Sequence, residues 1–233
     1  MRVQVVNPTA GMLAGDAMTV DISVAAGARL AVTTPAAARA FRMAEGARAS
    51  LRQRLRCAAG AWLEYAPDPL YPHAGTEFSQ DTLLEVEPGG AACLVDSLAP
   101  GRSARGELWA WRRLENTLTV EQGGRPLLRE RLDVGGAQFG RLAAFHGFSE
   151  AWIATLVAVA PELAARGAAL GLNQSMTGEE GALAGATCPA PDLLVVRVVA
   201  PSGHALRASL AGIRERLAVC LPAIAEPSRT GRQ

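Results

Sequence analysis

Side chains able to do chemistry are few and dispersed in this chain of 233 residues. The carboxylates Asp16, Glu64, Asp68, Glu77, Asp96, Glu107 and Glu130 are spread along its first two thirds. On a β scaffold such groups can form a glycosidase pair or a cation site, but only if the fold brings them together. Asp68 and Glu77, around the Tyr71–Gly75 turn, are the one local pair with the spacing for a carboxylate-dependent hydrolase. The three histidines, His73, His146 and His204, show neither HExxH nor HxH spacing and read as ordinary hydrogen-bonded residues. His73, on its turn, is the strongest candidate among them. Cys57, Cys93, Cys188 and Cys220 lie far apart without a CxxC pair, which excludes a zinc ribbon and a dense disulfide framework. Ser97 and Ser103 have no recognisable base nearby, and no GxSxG elbow occurs. Gly11–Gly15 matches neither phosphate-binding pattern.

Composition removes further classes. All 23 basic residues are arginine, so Schiff-base and P-loop lysine chemistry is excluded. With 22 acidic residues the net charge is +1, far from the basic excess of a nucleic-acid binder. Hydrophobic residues make up 49% and charged residues 19%, enough to fill a sizeable core. The N-terminus lacks the apolar core of a signal peptide. The longest apolar stretch, Ala151 to Ala160, contains Thr155 and falls short of the ~20 residues that span a bilayer. The expectation is a cytoplasmic protein with reduced thiols, no nucleic acid and no membrane.

The elements that must position these groups read as β over the first two thirds. Met18, Val20, Ile22 and Val24 alternate with polar residues, the period of a strand with one buried face. Arg29–Thr34, Leu83–Glu87 and Ala92–Val95 are further short runs, divided by Gly and Pro turns. Leu118–Val120, Gly123-Gly124 and Leu127–Val134 predict a hairpin. Glu130 alternates there with Leu128 and Leu132, which places a charge on an apolar face. This pattern predicts layered antiparallel sheets rather than a Rossmann fold. In the last third, Ala151–Val159 fits strand or helix, Pro161–Leu170 predicts a short helix, and Leu193–Val199 a strand. Leu206, Leu210, Ile213, Leu217 and Leu221 recur at helical spacing and predict an amphipathic helix. One domain, with a frayed tail after about residue 226, is expected.

Several stretches, in order, resemble the urease accessory protein UreD (UreH) family. Asn7–Asp16 is similar to its (H/N)-P-P/T-G-G-x-V-G-G-D signature, and Leu30–Arg42 to its LTT-containing segment. Trp62–Pro67 is similar to L-E-W-L-P, Leu98–Glu107 to L-x-x-G-R-x-x-x-G-E, and Pro126–Leu132 to P-L-L-x-E-R-L. Leu193–Pro222 resembles its closing strand and helix. Two departures stand out. The chain begins almost on the signature, which predicts either a misplaced start or missing N-terminal strands that leave an open sheet edge. Pro35 and Ala38-Arg39 stand where glutamine and Thr-Lys are usual.

The resemblance implies a mainly β, two-layer or β-helix-like body with about two helices in the C-terminal third. It implies a non-enzymatic maturation role: binding apo-urease and UreF, meeting the GTPase UreG through UreF, and passing nickel toward the urease active site. No tightly bound cofactor is implied, only nickel in transit, with Asp16 and Glu130 as residues of the passage. From the residues alone, Asp16 reads equally as a turn cap and Glu130 as an ion-pair partner of Arg129 or Arg131. Widely spaced carboxylates suit weak, releasable holding of a dication better than clustered thiolates do. A shortened family paralogue without a urease role is the alternative within the same fold.

Overall fold

The computed structural model describes residues 1–9, 11–165, 176–177 and 181–221. Its chain winds through three successive coils. The first carries β2 (Ala17–Val24), β3 (Arg29–Thr33) and β4 (Ala38–Ala40). The second repeats the order with β5 (Ala49–Cys57), β6 (Trp62–Tyr65) and β7 (Leu70–Pro72). The third runs β8 (Glu77–Val86), β9 (Ala91–Leu98) and the short β10 (Gly101–Arg102), which pairs with β11 (Glu107–Leu108) as the winding ends. Strands pair in parallel with their counterparts one coil on: β2 with β5 and β5 with β8, β3 with β6 and β6 with β9, β4 with β7. β1 (Arg2–Gln4) adds a parallel partner outside β3.

The mainly β, two-sheet solenoid is therefore the observed architecture, and strand direction follows from winding. A coil returns the chain to the same face travelling the same way, so stacked coils pair in parallel. Antiparallel pairing, expected throughout from the turns, begins where winding stops. β12 (Arg113–Gln122) continues the stack parallel to β8, and β13 (Arg125–Val134) folds back on it as the predicted hairpin. β14 (Trp152–Val159) then pairs antiparallel with β9, followed by β17 (Leu193–Ala200) and β16 (Leu183–Ala190). The smaller sheet has the order β13-β12-β8-β5-β2, and the larger runs from β1 to the two-residue β15 (Met176–Thr177). β2 is an edge of the smaller sheet.

The central strands of the larger sheet are buried on both faces, which explains the continuous apolar runs of β14 and β17. One face meets the smaller sheet through Leu55, Leu84, Leu94, Val157, Val159 and Val195. The other, with Cys93, Leu156, Leu194 and Val196, is covered by α2 (Gly203–Cys220). Leu206, Ile213 and Leu217 of α2 are buried, Leu210 partly, and Ser202 caps the helix by accepting from the Ala205 N–H at 3.0 Å. Arg214 of this helix reaches Glu64 on β6 at 2.6 Å, beneath the packed surface.

A third apolar cluster, with Met12, Phe78, Trp111 and Leu114, includes Phe139 of α1 (Gly136–Phe145). This helix is not legible in the sequence. It sits on Trp109 through two glycines: a Cβ at Gly136 would lie 2.1 Å from the Trp109 carbonyl oxygen, and one at Gly140 2.8 Å from its ring. Of the predicted Pro161–Leu170 helix, residues 163–165 are helical and the rest lies outside the described residues, as does the tail after 226.

Candidate functional site

Strand alternation sets which side chains enter the space between the sheets. In β9 the inward set is Ala92 and Leu94, continuing to Asp96; in β17 it is Leu193 and Val195, continuing to Arg197. Register aligns these strands so that Asp96, Thr155, Arg197 and Gly185 form one transverse row across the larger sheet. Opposite, the smaller sheet offers two rows: Glu130, Leu118, Thr82 and Gln53, then Leu132, Asn116, Gln80 and Leu51.

Three polar bridges join the layers here. Gln53 donates to the Tyr65 hydroxyl at 3.0 Å, while Thr82 donates to the Gln53 carbonyl at 2.9 Å. Asn116 Nδ2 donates to Asp96 Oδ2 at 2.5 Å. At the β13 edge, the Arg197 guanidinium donates to Glu130.

Two cavities open around these bridges. One, of about 540 Å³, is lined by Asp96, Asn116, Glu130, Thr155, Arg197 and Phe139 among others. The second, of about 260 Å³, is lined by residues including Asn7, Met12, Gln53, Tyr65 and Asp68. Both are walled by Leu70, Phe78, Gln80, Asp96 and Ser97. Asp96 thus stands on their common boundary. Protein surrounds its carboxyl, yet the residue keeps accessible surface, which faces the cavities. Burial pushes this carboxyl above its usual range, against the opposing pull of hydrogen bonds from Asn116, Gln80 and the Ser97 backbone. Burial likewise pushes the Tyr65 phenol up to about 12.

The two residues nominated from sequence do not come together. Glu130 lies in the larger cavity, on an inward face with Leu128 and Leu132 as the alternation predicts. Its ion-pair partner is Arg197 from the other sheet, not Arg129 or Arg131. Asp16 is exposed and lines neither cavity. Its carboxylate accepts the Leu13 N–H at 2.7 Å, holding a turn whose Gly11 and Met12 line the smaller cavity. Asp68 lines that cavity as well, whereas Glu77 faces Arg112 at 3.8 Å and lines neither cavity, so the pair nominated from sequence does not share a cleft. His73 is buried against Phe41, and its imidazole is pushed below its ordinary value by burial and by Arg102.

Asp96 was one carboxylate among many in the sequence. Its strand, Ala91–Leu98, is otherwise apolar apart from Ser97. A lone acid in a core-like strand was the available signal. Arg197, the lone charge in the apolar run Leu193–Ala200, gave the same kind of signal, whereas Asn116 and Thr155 gave none, because their meaning depends on cross-sheet register. The Gly101–Glu107 stretch proves structural. Arg102 clasps Glu107 through two hydrogen bonds of 2.9 and 2.5 Å, and Glu107 also accepts the Ala74 N–H. Gly101, at φ +116°, passes so close to Glu107 that a Cβ would lie 2.1 Å from its carbonyl oxygen.

The arrangement is a pair of adjoining cavities with dispersed oxygen donors on their walls. No group of three or more His, Cys, Asp or Glu poised to hold a metal occurs among the described residues, and none of the four cysteines is in a disulfide. Such a site suits brief contact with a hard or borderline cation rather than storage.

The model of the family described as "UreD urease accessory protein" matches residues 1–231, and the chain belongs to this family. It is 42% identical to the "Urease accessory protein UreD" of Opitutus terrae over 95% of this chain and 81% of that protein. The proteins of the same name from an Anaeromyxobacter species and from Ruegeria pomeroyi are 32% and 31% identical, over 89% and 88% of this chain and 69% and 77% of theirs. No helix among the described residues is long and apolar enough to cross a membrane.

Proposed function

We propose that this chain is a non-catalytic urease maturation scaffold of the cytoplasm. In this reading it binds apo-urease and UreF, meets UreG through UreF, and passes nickel between its two sheets toward the urease active site. The observation that carries the reading is Asp96, a carboxylate on the wall common to both cavities. A dication crossing from one cavity to the other meets Asp96, then Thr155, then Glu130 at the β13 side. Each station offers one or two oxygens, enough to replace part of a hydration shell and too few to trap the ion. Asp16 contributes at one remove, by holding the turn that walls the smaller cavity.

The test is co-expression with UreF and apo-urease from the same organism, followed by capture on tagged chain. The expected result is a complex that raises nickel-dependent urease activity, with Asp96→Ala and Glu130→Ala captured normally but activating poorly. A folded chain that captures neither partner sinks the urease role in favour of a paralogue. Normal activation by both variants sinks the passage alone.

A further inference from the structure

Glu130 is not open to a passing cation, because a guanidinium already occupies it. We infer that Arg197 is a charge latch: it closes the β13 side of the larger cavity by holding Glu130, and a divalent cation reaches that carboxylate only when Arg197 swings aside. This rests on the passage reading above and adds to it a residue that decides when the route is open.

Four observations carry it. First, the pair spans the gap between β13 and β17, so it lies across the cavity rather than along one strand. Second, Arg197 is placed as a movable group: its side chain is 60% exposed, against 27% for Glu130. An arginine so exposed pays little to exchange its partner for water or another carboxylate. Third, space for the displaced side chain exists on the same face. Gly185 stands opposite Arg197 in β16, and a Cβ added there would meet nothing within 4 Å. Fourth, the other arginine lining this cavity, Arg131, has acids of its own, Asp133 at 3.3 Å and Glu115 at 3.6 Å. Arg197 is therefore the cation assigned to Glu130.

Physically the latch acts twice. Its positive charge repels an approaching dication, and its donors fill the carboxylate oxygens the ion needs. A partner that presents an acidic side chain to Arg197 draws the guanidinium away and exposes Glu130 at the moment of docking. Cation release thereby becomes coupled to engagement, without any change in the backbone.

The experiment measures nickel(II) binding to the full chain, as a soluble fusion, by equilibrium dialysis. Variants are Arg197→Gln, Arg197→Lys and the double variant Arg197→Gln/Glu130→Gln. Removing the competing charge should tighten nickel binding about fivefold, the scale of a partly exposed ion pair. Arg197→Lys should match the wild type, and the double variant should lose the gain. Arg197→Met replaces the Gln variant if circular dichroism shows that the latter is misfolded. Wild-type affinity in a folded Arg197→Gln chain overturns the latch, as does a gain that survives loss of Glu130. Neither result depends on capture of UreF or apo-urease, so failure of the urease role and failure of the latch are read separately.

Discussion

Asp96 and Arg197 stand two strands apart in one row of the larger sheet, with Thr155 between them in register with both. At the usual strand spacing their backbones are roughly 10 Å apart. Across that distance the interior changes sign, and each charge is answered from the opposite sheet: Asp96 by the neutral Asn116 amide, Arg197 by Glu130.

The first prediction concerns Asp96. Its carboxyl lies above the usual range, so folding disfavours its charged form. Between the unfolded and the raised folded value the native state holds the extra proton, and stability falls as pH rises through that window. Asp96→Asn should therefore be at least as stable as wild type at pH 7. Its advantage should shrink as pH is lowered toward 4, read as a difference in Tm. Urease activation by the same variant should drop roughly 10- to 100-fold. A variant less stable at pH 7 than at pH 4, relative to wild type, contradicts the assigned burial.

Beneath α2, Arg214 compensates a buried acid. Burial raises Glu64 despite the opposing effects of Arg214 and Arg2. Arg214→Met leaves that acid without its nearest partner and should cost about 3 kcal/mol in urea unfolding. Glu64→Leu combined with Arg214→Met should recover most of the loss. If the double variant is no better than the single one, the helix is held by packing alone.

Glu107 behaves in the opposite sense to Asp96. Hydrogen bonds from Arg102 and the Ala74 backbone hold its carboxyl below the usual range. A depressed value contributes stability present above the unfolded value and lost as pH falls through the folded one. Glu107→Gln should lower Tm at pH 7, and the gap should close in acid. A gap that persists at pH 3 assigns the effect to packing instead of charge.

Gly101→Ala tests the close approach beside that clasp. The added methyl would collide with the Glu107 backbone in a left-handed region that side chains rarely occupy. A loss of about 2 kcal/mol or more is expected. Arg102→Ala, which removes only the clasp, should cost less.

Local pattern made several elements legible. The alternation of β2, the Gly123-Gly124 hairpin, the helical spacing of Leu206–Leu221 and the inward face of Glu130 all need only nearby residues. Parallel stacking was hidden because its partners, such as Val20 and Gln53, lie a whole coil apart in sequence. α1 was hidden for a different reason. It has no side-chain N-cap and no acid in its first turn, and two of its ten residues are the glycines that fit it to Trp109. The family resemblance supplied Asp16 and Glu130 as separate points. Only register could show that Asp96 and Arg197 share a row and that Asp16 stands apart from it.

Because neighbouring residues in a strand face opposite ways, the interior is governed by parity. In β9, Leu94 and Asp96 look toward the smaller sheet while Cys93 and Val95 look toward α2. Deleting one residue between the Gly89-Gly90 turn and Asp96 would rotate the carboxylate into the helix-facing core and put Ser97 in its place. Removing two would keep the facing and shift the row by one pleat. The same arithmetic applies to β14 and β17, so length changes in this lineage of sequences should fall in turns, or come in steps of two. What the space between the sheets depends on is an even count as much as a set of side chains.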